Sequence, residues 1–284
     1  MLKIYQFIIF RKMRKIKFER RDIMIKNKNI VLTGCNNGIG LEILKLLIQG
    51  NNKILCVDTG TDKLSCLESE NVIIFQKDVS SKKAVDEIFK KAEEVFSHID
   101  IFYANAGFAY YEEMDYTDWD RITRIFETNV FSPIYSYQKY IEHLNGKSGI
   151  FALTVSVIGL LAIPGYALYS ASKFSLDGFQ RAIRFEKPEN LQLTCLYPVA
   201  TDTGFFRRAN KIDFKKPFPV QSPELVARKM VEGIENGKKN VNPSILFNIS
   251  KPFMRILPPL KALYLLMENR KFTQFKKKIK SEQT

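Results

Sequence analysis

Tyr169 and Lys173 stand four residues apart in Ala167-Leu-Tyr-Ser-Ala-Ser-Lys173, and Ser156 lies thirteen positions upstream. Residues four apart on a helix share a face, so the ammonium can lie beside the phenol and favour its ionised form. At an effective dielectric of about 20, a cation roughly 4 Å away is worth about 4 kcal/mol, enough to lower a phenol pKa from near 10 by up to ~3 units. Such a phenol takes a proton from an alcohol, or gives one to a carbonyl oxygen, near neutrality, and Ser156 would hold that oxygen. Tyr-x-x-x-Lys also arises by chance as a surface helix pair, so its setting has to decide. The run between Ser156 and Tyr169 is apolar and carries the Pro164-Gly165 turn signal. It follows a strand-like segment, Gly149-Ile-Phe-Ala-Leu-Thr-Val155, which puts Ser156 at a strand end. In open α/β sheets ligands bind at that edge.

The elements that would position this trio repeat along the chain. Asn29-Ile-Val-Leu-Thr33 reads as a short apolar strand, and Gly34-Cys-Asn-Asn-Gly-Ile-Gly40 opens a helix with apolar Leu41, Leu44, Leu47 and Ile48. Strand, glycine turn and helix form the context of a dinucleotide-binding loop, in which backbone N–H groups approach a pyrophosphate at the positive helix end. Lys53-Ile-Leu-Cys-Val-Asp58 ends in a carboxylate placed to accept hydrogen bonds from ribose hydroxyls. A 2′-phosphate would meet like charge there, and no arginine follows, which favours NAD over NADP; Asp58 could equally be a turn or helix-capping residue. Further strands are predicted from Val72 to Asp78, Ile99 to Ala104, Gly149 to Val155 and Leu191 to Tyr197, and helices over roughly 81–97, 117–144, 166–186 and 222–237. The alternation predicts an α/β fold, a doubly wound parallel sheet of Rossmann type in a single domain. Asn105, Ala106 and Gly107 would then follow a strand's carboxyl end, where small residues allow close cofactor approach.

Charge divides the chain into three parts. Of the net +14, residues 1–28 hold +8 and residues 250–284 hold +7, leaving −1 for 29–249. The layout expected is a basic N-terminal extension (1–27), a catalytic domain (28–249) and a basic amphipathic C-terminal extension (250–284). Two basic ends around a neutral core argue against a nucleic-acid groove and suit an anionic membrane surface. The apolar run near Met1 is too short to span a bilayer, and Met24, which leads directly into the first strand, is an alternative start. Four scattered cysteines and two histidines, without ligand spacing, point to no metal, no disulfide framework and a reducing cytoplasm, with peripheral attachment to a membrane surface as a variant.

With these motifs in hand, the chain resembles the classical short-chain dehydrogenase/reductase family over about residues 28–240. Thr33-Gly-Cys-Asn-Asn-Gly-Ile-Gly40 is similar to its cofactor loop, Asp78-Val79 to its adenine contact and Asn105-Ala-Gly107 to its central-strand motif. The resemblance implies that Asn129, Ser156, Tyr169 and Lys173 are catalytic. Tyr169 would be the acid/base, Lys173 would lower its pKa and hold the nicotinamide ribose, Ser156 would orient the substrate oxygen, and Asn129 would support a water leading from Lys173 to solvent. Cofactor contacts are implied for Thr33, Gly34, Asn37, Gly38, Ile39, Gly40, Asp58, Asp78, Val79, Asn105, Ala106, Gly107, Thr201 and Thr203. Two departures stand out: Ala104 replaces a common Asn and removes a brace on the central strand, and Val199 replaces the usual Gly after Pro198, stiffening the loop over the nicotinamide.

Phe205 and Phe206, with Ile158, Leu160, Leu161 and Ile163, would line an apolar substrate pocket, although they could instead pack the core or a subunit interface. In the tail, Pro258 and Pro259 end one helix, and Leu260, Leu263, Tyr264 and Met267 form one stripe of a second. That appendage could lie on a bilayer, cover the substrate entrance or pack on another subunit. The expected activity is hydride transfer between NAD (NADP less readily) and a lipophilic alcohol, ketone or aldehyde, in a homodimer or homotetramer. The alternative is a dinucleotide-sensing protein of the same fold without turnover.

Overall fold

The computed structural model describes residues 25–283. The readings of the N-terminal extension and of its start at Met1 or Met24 rest on residues 1–24, outside the described ones.

Strands β1 (Asn29–Thr33), β2 (Lys53–Asp58), β3 (Val72–Gln76), β4 (Ile101–Ala104), β5 (Gly149–Thr154) and β6 (Leu191–Leu196) alternate with helices α1 (Gly38–Ile48), α2 (Lys82–Val95), α3 (Trp119–Phe126), α4 (Ser132–Leu144) and α5 (Ala167–Glu186). After β6 come a two-residue strand β7 (Ala200–Thr201), α6 (Phe205–Ala209), its partner β8 (Val220–Gln221), α7 (Pro223–Glu235) and β9 (Asn240–Val241). The main sheet is parallel throughout, in the order β3-β2-β1-β4-β5-β6-β9. The chain runs outward from β1 in one direction and then returns to place β4 on its other side. That reversal opens a crevice at the carboxyl ends of β1 and β4.

Burial on both faces explains the nearly continuous apolar runs of the strands. Val31 of β1 joins one core with residues of α2, α4 and α5, while its neighbours Ile30 and Leu32 join the other with residues of α1 and α7. β1 and β2 match the predicted limits and β4 starts two residues late, whereas β3, β5 and β6 end one or two residues early, because their last residues turn out of the ladder into the loops that form the crevice. The two-residue strands β7, β8 and β9 are too short to register as a period in the sequence.

The helix predicted over 117–144 is interrupted. A π-turn, Glu127–Phe131, separates α3 from α4. Pro133, at the start of α4, has no N–H to give the carbonyl of Asn129, which relieves the α-helical register there.

Helices α8 (Ile245–Ile256) and α9 (Pro258–Gln283) finish the chain, so position 250 falls within α8. The inner side of α9 carries Tyr264, Leu265, Phe272, Phe275 and Ile279 into a third apolar cluster with Tyr111, Tyr166, Tyr169 and Phe206. The stripe expected from Leu260, Leu263, Tyr264 and Met267 is therefore split. Tyr264 turns inward and donates to the Phe218 carbonyl (3.0 Å), while Leu260, Leu263 and Met267 remain exposed. Glu268, buried beside Lys271 (2.8 Å), marks the dividing line between the two sides. Among the described residues no helix is long and apolar enough to cross a membrane.

Candidate active site

A cavity of about 700 Å³ runs from the glycine loop and Asp58 to Tyr169 and then under α6, α8 and α9. Its first end is set by hydrogen bonds between β1 and the loop after β4. Thr33 Oγ1 accepts from the backbone N–H of both Asn105 and Ala106 (3.0 Å each). Asn105 Nδ2 donates to the carbonyls of Thr33 (3.1 Å) and Gly34 (2.9 Å), and its Oδ1 accepts from Thr154 Oγ1 (2.9 Å). Tyr103 OH meets that same Thr154 hydroxyl at 2.9 Å, so side chains from β4 and β5 brace the central strand beside Ala104. The loop presses on this frame so closely that a Cβ on Gly34, at φ +67°, would lie 2.7 Å from Ala106 Cα, and one on Gly40 would lie 2.0 Å from the Gly34 carbonyl oxygen.

Asp58 serves the loop as well as the cavity wall. Its Oδ2 accepts from Asn36 N–H (2.9 Å) and its Oδ1 from Gly60 N–H (3.2 Å), the latter an Asx-type turn contact. Lys63 crosses the same loop to donate to Asn37 Oδ1 (2.7 Å). Asn37, Gly38, Ile39, Asp78, Val79, Gly107, Thr201 and Thr203 all border the cavity as well. Thr33 and Asn129 do not; they stand behind the wall and hold it.

Tyr169 and Lys173 come from one face of α5 and are both buried. Lys173 Nζ donates to the Thr154 carbonyl (3.0 Å) and lies 5.8 Å from the Tyr169 ring centroid. Burial drives the two groups in opposite directions. It pushes the Tyr169 phenol up to about 12, against a hydrogen bond from Ser156 that pulls it back, and it pushes the Lys173 ammonium down to about 7. The expected lowering of the phenol by the lysine is thus not what this geometry gives. Desolvation outweighs the lysine, whose charged end is turned to Thr154.

Ser156 follows β5 with φ 156° and ψ 157°, a region that suits glycine and costs other residues about 1–3 kcal/mol. It is held there by Ile158 N–H, which donates to Ser156 Oγ (3.2 Å), and by Val157 N–H, which donates to the Pro198 carbonyl (3.1 Å). Asn129, fully buried in the π-turn, grips Phe108 from both sides. Its Oδ1 accepts from Phe108 N–H (3.1 Å), and its Nδ2 donates to the Phe108 carbonyl (2.9 Å) and to Ser172 Oγ (3.1 Å).

Residues 28–213 match the short chain dehydrogenase family. The chain belongs to it. The mouse (Mus musculus) 17-beta-hydroxysteroid dehydrogenase 13 is 27% identical over 248 residues, covering 83% of this chain and 80% of that protein. Among solved structures, a short chain dehydrogenase of Burkholderia cenocepacia in complex with NADP superposes with a TM-score of 0.73 at 19% identity, covering 86% and 99% of the two chains. A short chain dehydrogenase/reductase of Burkholderia phymatum in complex with NAD gives 0.71 at 18%, covering 83% and 95%. The protein is thus an oxidoreductase of a nucleotide-binding fold.

In this short chain dehydrogenase the apolar end of the cavity is where the sequence spoke least. Phe205, 5.5 Å from the Tyr169 ring, Phe206, Ile158, Leu161 and Ile163 do border the cavity, whereas Leu160 packs on the core below α5. Tyr110, Arg124, Tyr166, Arg208, Leu246, Met254 and Tyr264 complete the wall. Of these, only Tyr166, the cap residue of α5 three positions before Tyr169, and Tyr264, in the tail stripe, had a local signal. The others reach the site from segments that carry no motif. Among the described residues no group of His, Cys, Asp and Glu is gathered to hold a metal, and the four thiols are free.

Proposed function

We propose that this short chain dehydrogenase interconverts a lipophilic secondary alcohol and its ketone, with NAD as the preferred dinucleotide. The observation that carries the reading is the meeting of Ser156, Tyr169 and Lys173 on one wall of a cavity whose far end is the glycine loop and Asp58. The chain fits the dinucleotide on its own terms. Lys173 Nζ is buried and has, among the described groups, one bonded acceptor, Thr154 O, so it keeps hydrogen-bonding capacity for ribose hydroxyls. Asp58 offers its carboxylate to the adenosine ribose, while Lys63 is engaged with Asn37 rather than standing free for a 2′-phosphate.

A bound nicotinamide supplies the hydride in reduction and accepts it in oxidation. Ser156 holds the substrate oxygen by a hydrogen bond, and Tyr169, kept protonated by its burial, gives that oxygen its proton when a ketone is reduced. In the reverse direction the phenolate takes the proton back. Asn129 acts at one remove, as a positioning residue that fixes Gly107 and Phe108 over Lys173. Phe205, Phe206, Leu161, Ile163, Leu246 and Met254 support an apolar substrate, and the steroid named in the mouse relative is of that class. Exposed Phe174 and Phe185 on α5 support a homodimer or homotetramer, which the mass in solution would test.

A turnover screen over steroids, retinoids, long-chain alcohols and oxoacyl thioesters, with NAD(H) and NADP(H) in parallel, tests this reading. Activity on small sugars but on no lipophilic compound would defeat the substrate class, and a better rate with NADP would defeat the cofactor preference.

A further inference from the structure

The α8–α9 hairpin has two apolar sides, and the cavity uses only one. On α8, Phe247, Ser250 and Met254 recur at helical spacing and border the cavity. The opposite stripe, Ile245, Ile249, Phe253 and Ile256, is exposed by 75%, 57%, 52% and 74%. Leu257, Leu260, Leu263, Leu266 and Met267 continue this exposed surface into α9. Such a continuous run of large apolar side chains is unusual on a protein that stays in water.

The charges on the same segment are one-sided. Residues 245–267 contain Lys251, Arg255 and Lys261 and no Asp or Glu. The first acid, Glu268, is buried and bonded to Lys271. An apolar stripe whose own segment carries cations and no acid matches the interface of an anionic bilayer, where side chains enter the acyl boundary and ammonium groups remain among the headgroups. A second copy docking through the same patch would set these cations against each other.

We propose that the outer side of α8 and the start of α9 docks on an anionic lipid surface. Docking there places the cavity lined by Leu246, Phe247 and Met254 directly behind the membrane contact, so that a lipophilic substrate enters from the bilayer. The entry route rests on the oxidoreductase reading above; the docking does not.

Sedimentation with phosphatidylcholine vesicles, with and without phosphatidylserine, tests the docking at low and high salt and requires no turnover. The full chain is expected to sediment with the mixed vesicles. Ile249→Glu combined with Phe253→Glu and Leu263→Glu, none of which borders the cavity, should lower the bound fraction at least about tenfold. Lys251→Gln with Lys261→Gln should weaken binding at low salt only. Circular dichroism and cooperative thermal unfolding check that each variant is folded. As a readout independent of the acidic variants, Phe253→Trp in a Trp119→Phe background should shift its emission to the blue on mixed vesicles. Failure of the full chain to bind at low salt, absence of that shift, or a drop in solution mass of the acidic variant would each overturn the docking. For the entry route, the acidic variant should turn over a vesicle-borne ketone at least about tenfold more slowly than the parent while matching it on a short soluble ketone. Equal rates on the vesicle-borne ketone would refute it. If the parent reduces neither ketone, the oxidoreductase reading fails while the sedimentation result still stands.

Discussion

The two ends of the cavity are built by different physics. At the end proposed for the dinucleotide, Thr33, Asn105 and Thr154 interlock backbone and side chains of three adjacent strands through half-buried hydrogen bonds. At the apolar end, α6 and α9 meet through rings, with Tyr111 against Phe214 (4.1 Å between centroids), Tyr166 (4.7 Å) and Phe275 (4.7 Å). A polar lattice demands particular atoms at particular places, whereas an apolar cluster accepts any shape that fills the volume. The first end therefore suits a ligand that never changes, and the second suits a pocket whose contents vary across a family.

The largest effect should come from the point where the two ends meet. Tyr169→Phe removes the proton donor and keeps the ring, so turnover should fall by about 10² or more while dinucleotide affinity, measured by fluorescence titration, stays within a small factor. Retained turnover would remove Tyr169 from the chemistry.

Next come two substitutions that set one end against the other. Thr33→Val takes the acceptor from the half-buried N–H groups of Asn105 and Ala106 and should lower global stability by about 2–3 kcal/mol in urea, with dinucleotide affinity falling alongside. Phe275→Ala deletes a buried ring from the cap and should lose about 3 kcal/mol of local packing. Its effect should appear as faster proteolysis of α9 and a higher KM, with the dinucleotide still bound. If both variants unfold in one step with the same loss of dinucleotide, the two ends form a single cooperative unit and the contrast fails.

The same contrast explains what could be read from the sequence. β1 and β2 were legible to the residue, because each is a short apolar run closed by Gly34 or by Asp58. Ser156, Tyr169 and Lys173 were legible as a trio because two of them share a helix face and the third ends a strand. The π-turn at Asn129 was not. It depends on the grip of that side chain on Phe108, twenty-one positions away, and no local period encodes it. Nor was the direction of the Tyr169 shift, because spacing reports the neighbour Lys173 and not the depth of burial. The sequence offered the tail as a cover for the entrance, yet not that Leu246, Met254 and Tyr264 would form the inner wall: an apolar helix does not announce which of its sides will meet the cavity.

The lysine offers a test with a definite sign. Burial lowers Lys173 from its ordinary 10.5 to about 7, so between those values the unfolded chain holds a proton that the folded chain has released. Where the unfolded state binds more protons, stability rises with pH. From pH 7 to 9 this single group should contribute a rise on the order of 2 kcal/mol, and below about 7 it should contribute no slope. Subtracting the curve of Lys173→Met isolates it from the other titrations. A flat difference would mean that the ammonium is better solvated than its burial implies.

The smallest expected effect lies at Asp58. Its carboxylate both faces the cavity and accepts the N–H groups of Asn36 and Gly60, so removing it outright would disturb the loop along with the charge. Asp58→Asn keeps an oxygen for one of those N–H groups while removing the negative charge, so it disturbs the loop less than truncation and is the better probe of cofactor choice. Without that charge a 2′-phosphate is no longer repelled, and Lys63 can leave Asn37 Oδ1 for it without breaking a buried contact. The ratio of kcat/KM for NAD over NADP should therefore fall by about tenfold, equivalent to ~1.4 kcal/mol. Adding Lys63→Gln should restore part of the preference for NAD. An unchanged ratio in Asp58→Asn would show that selection rests on the shape of the loop, and the polar end of the cavity would then discriminate by packing, as the apolar end does.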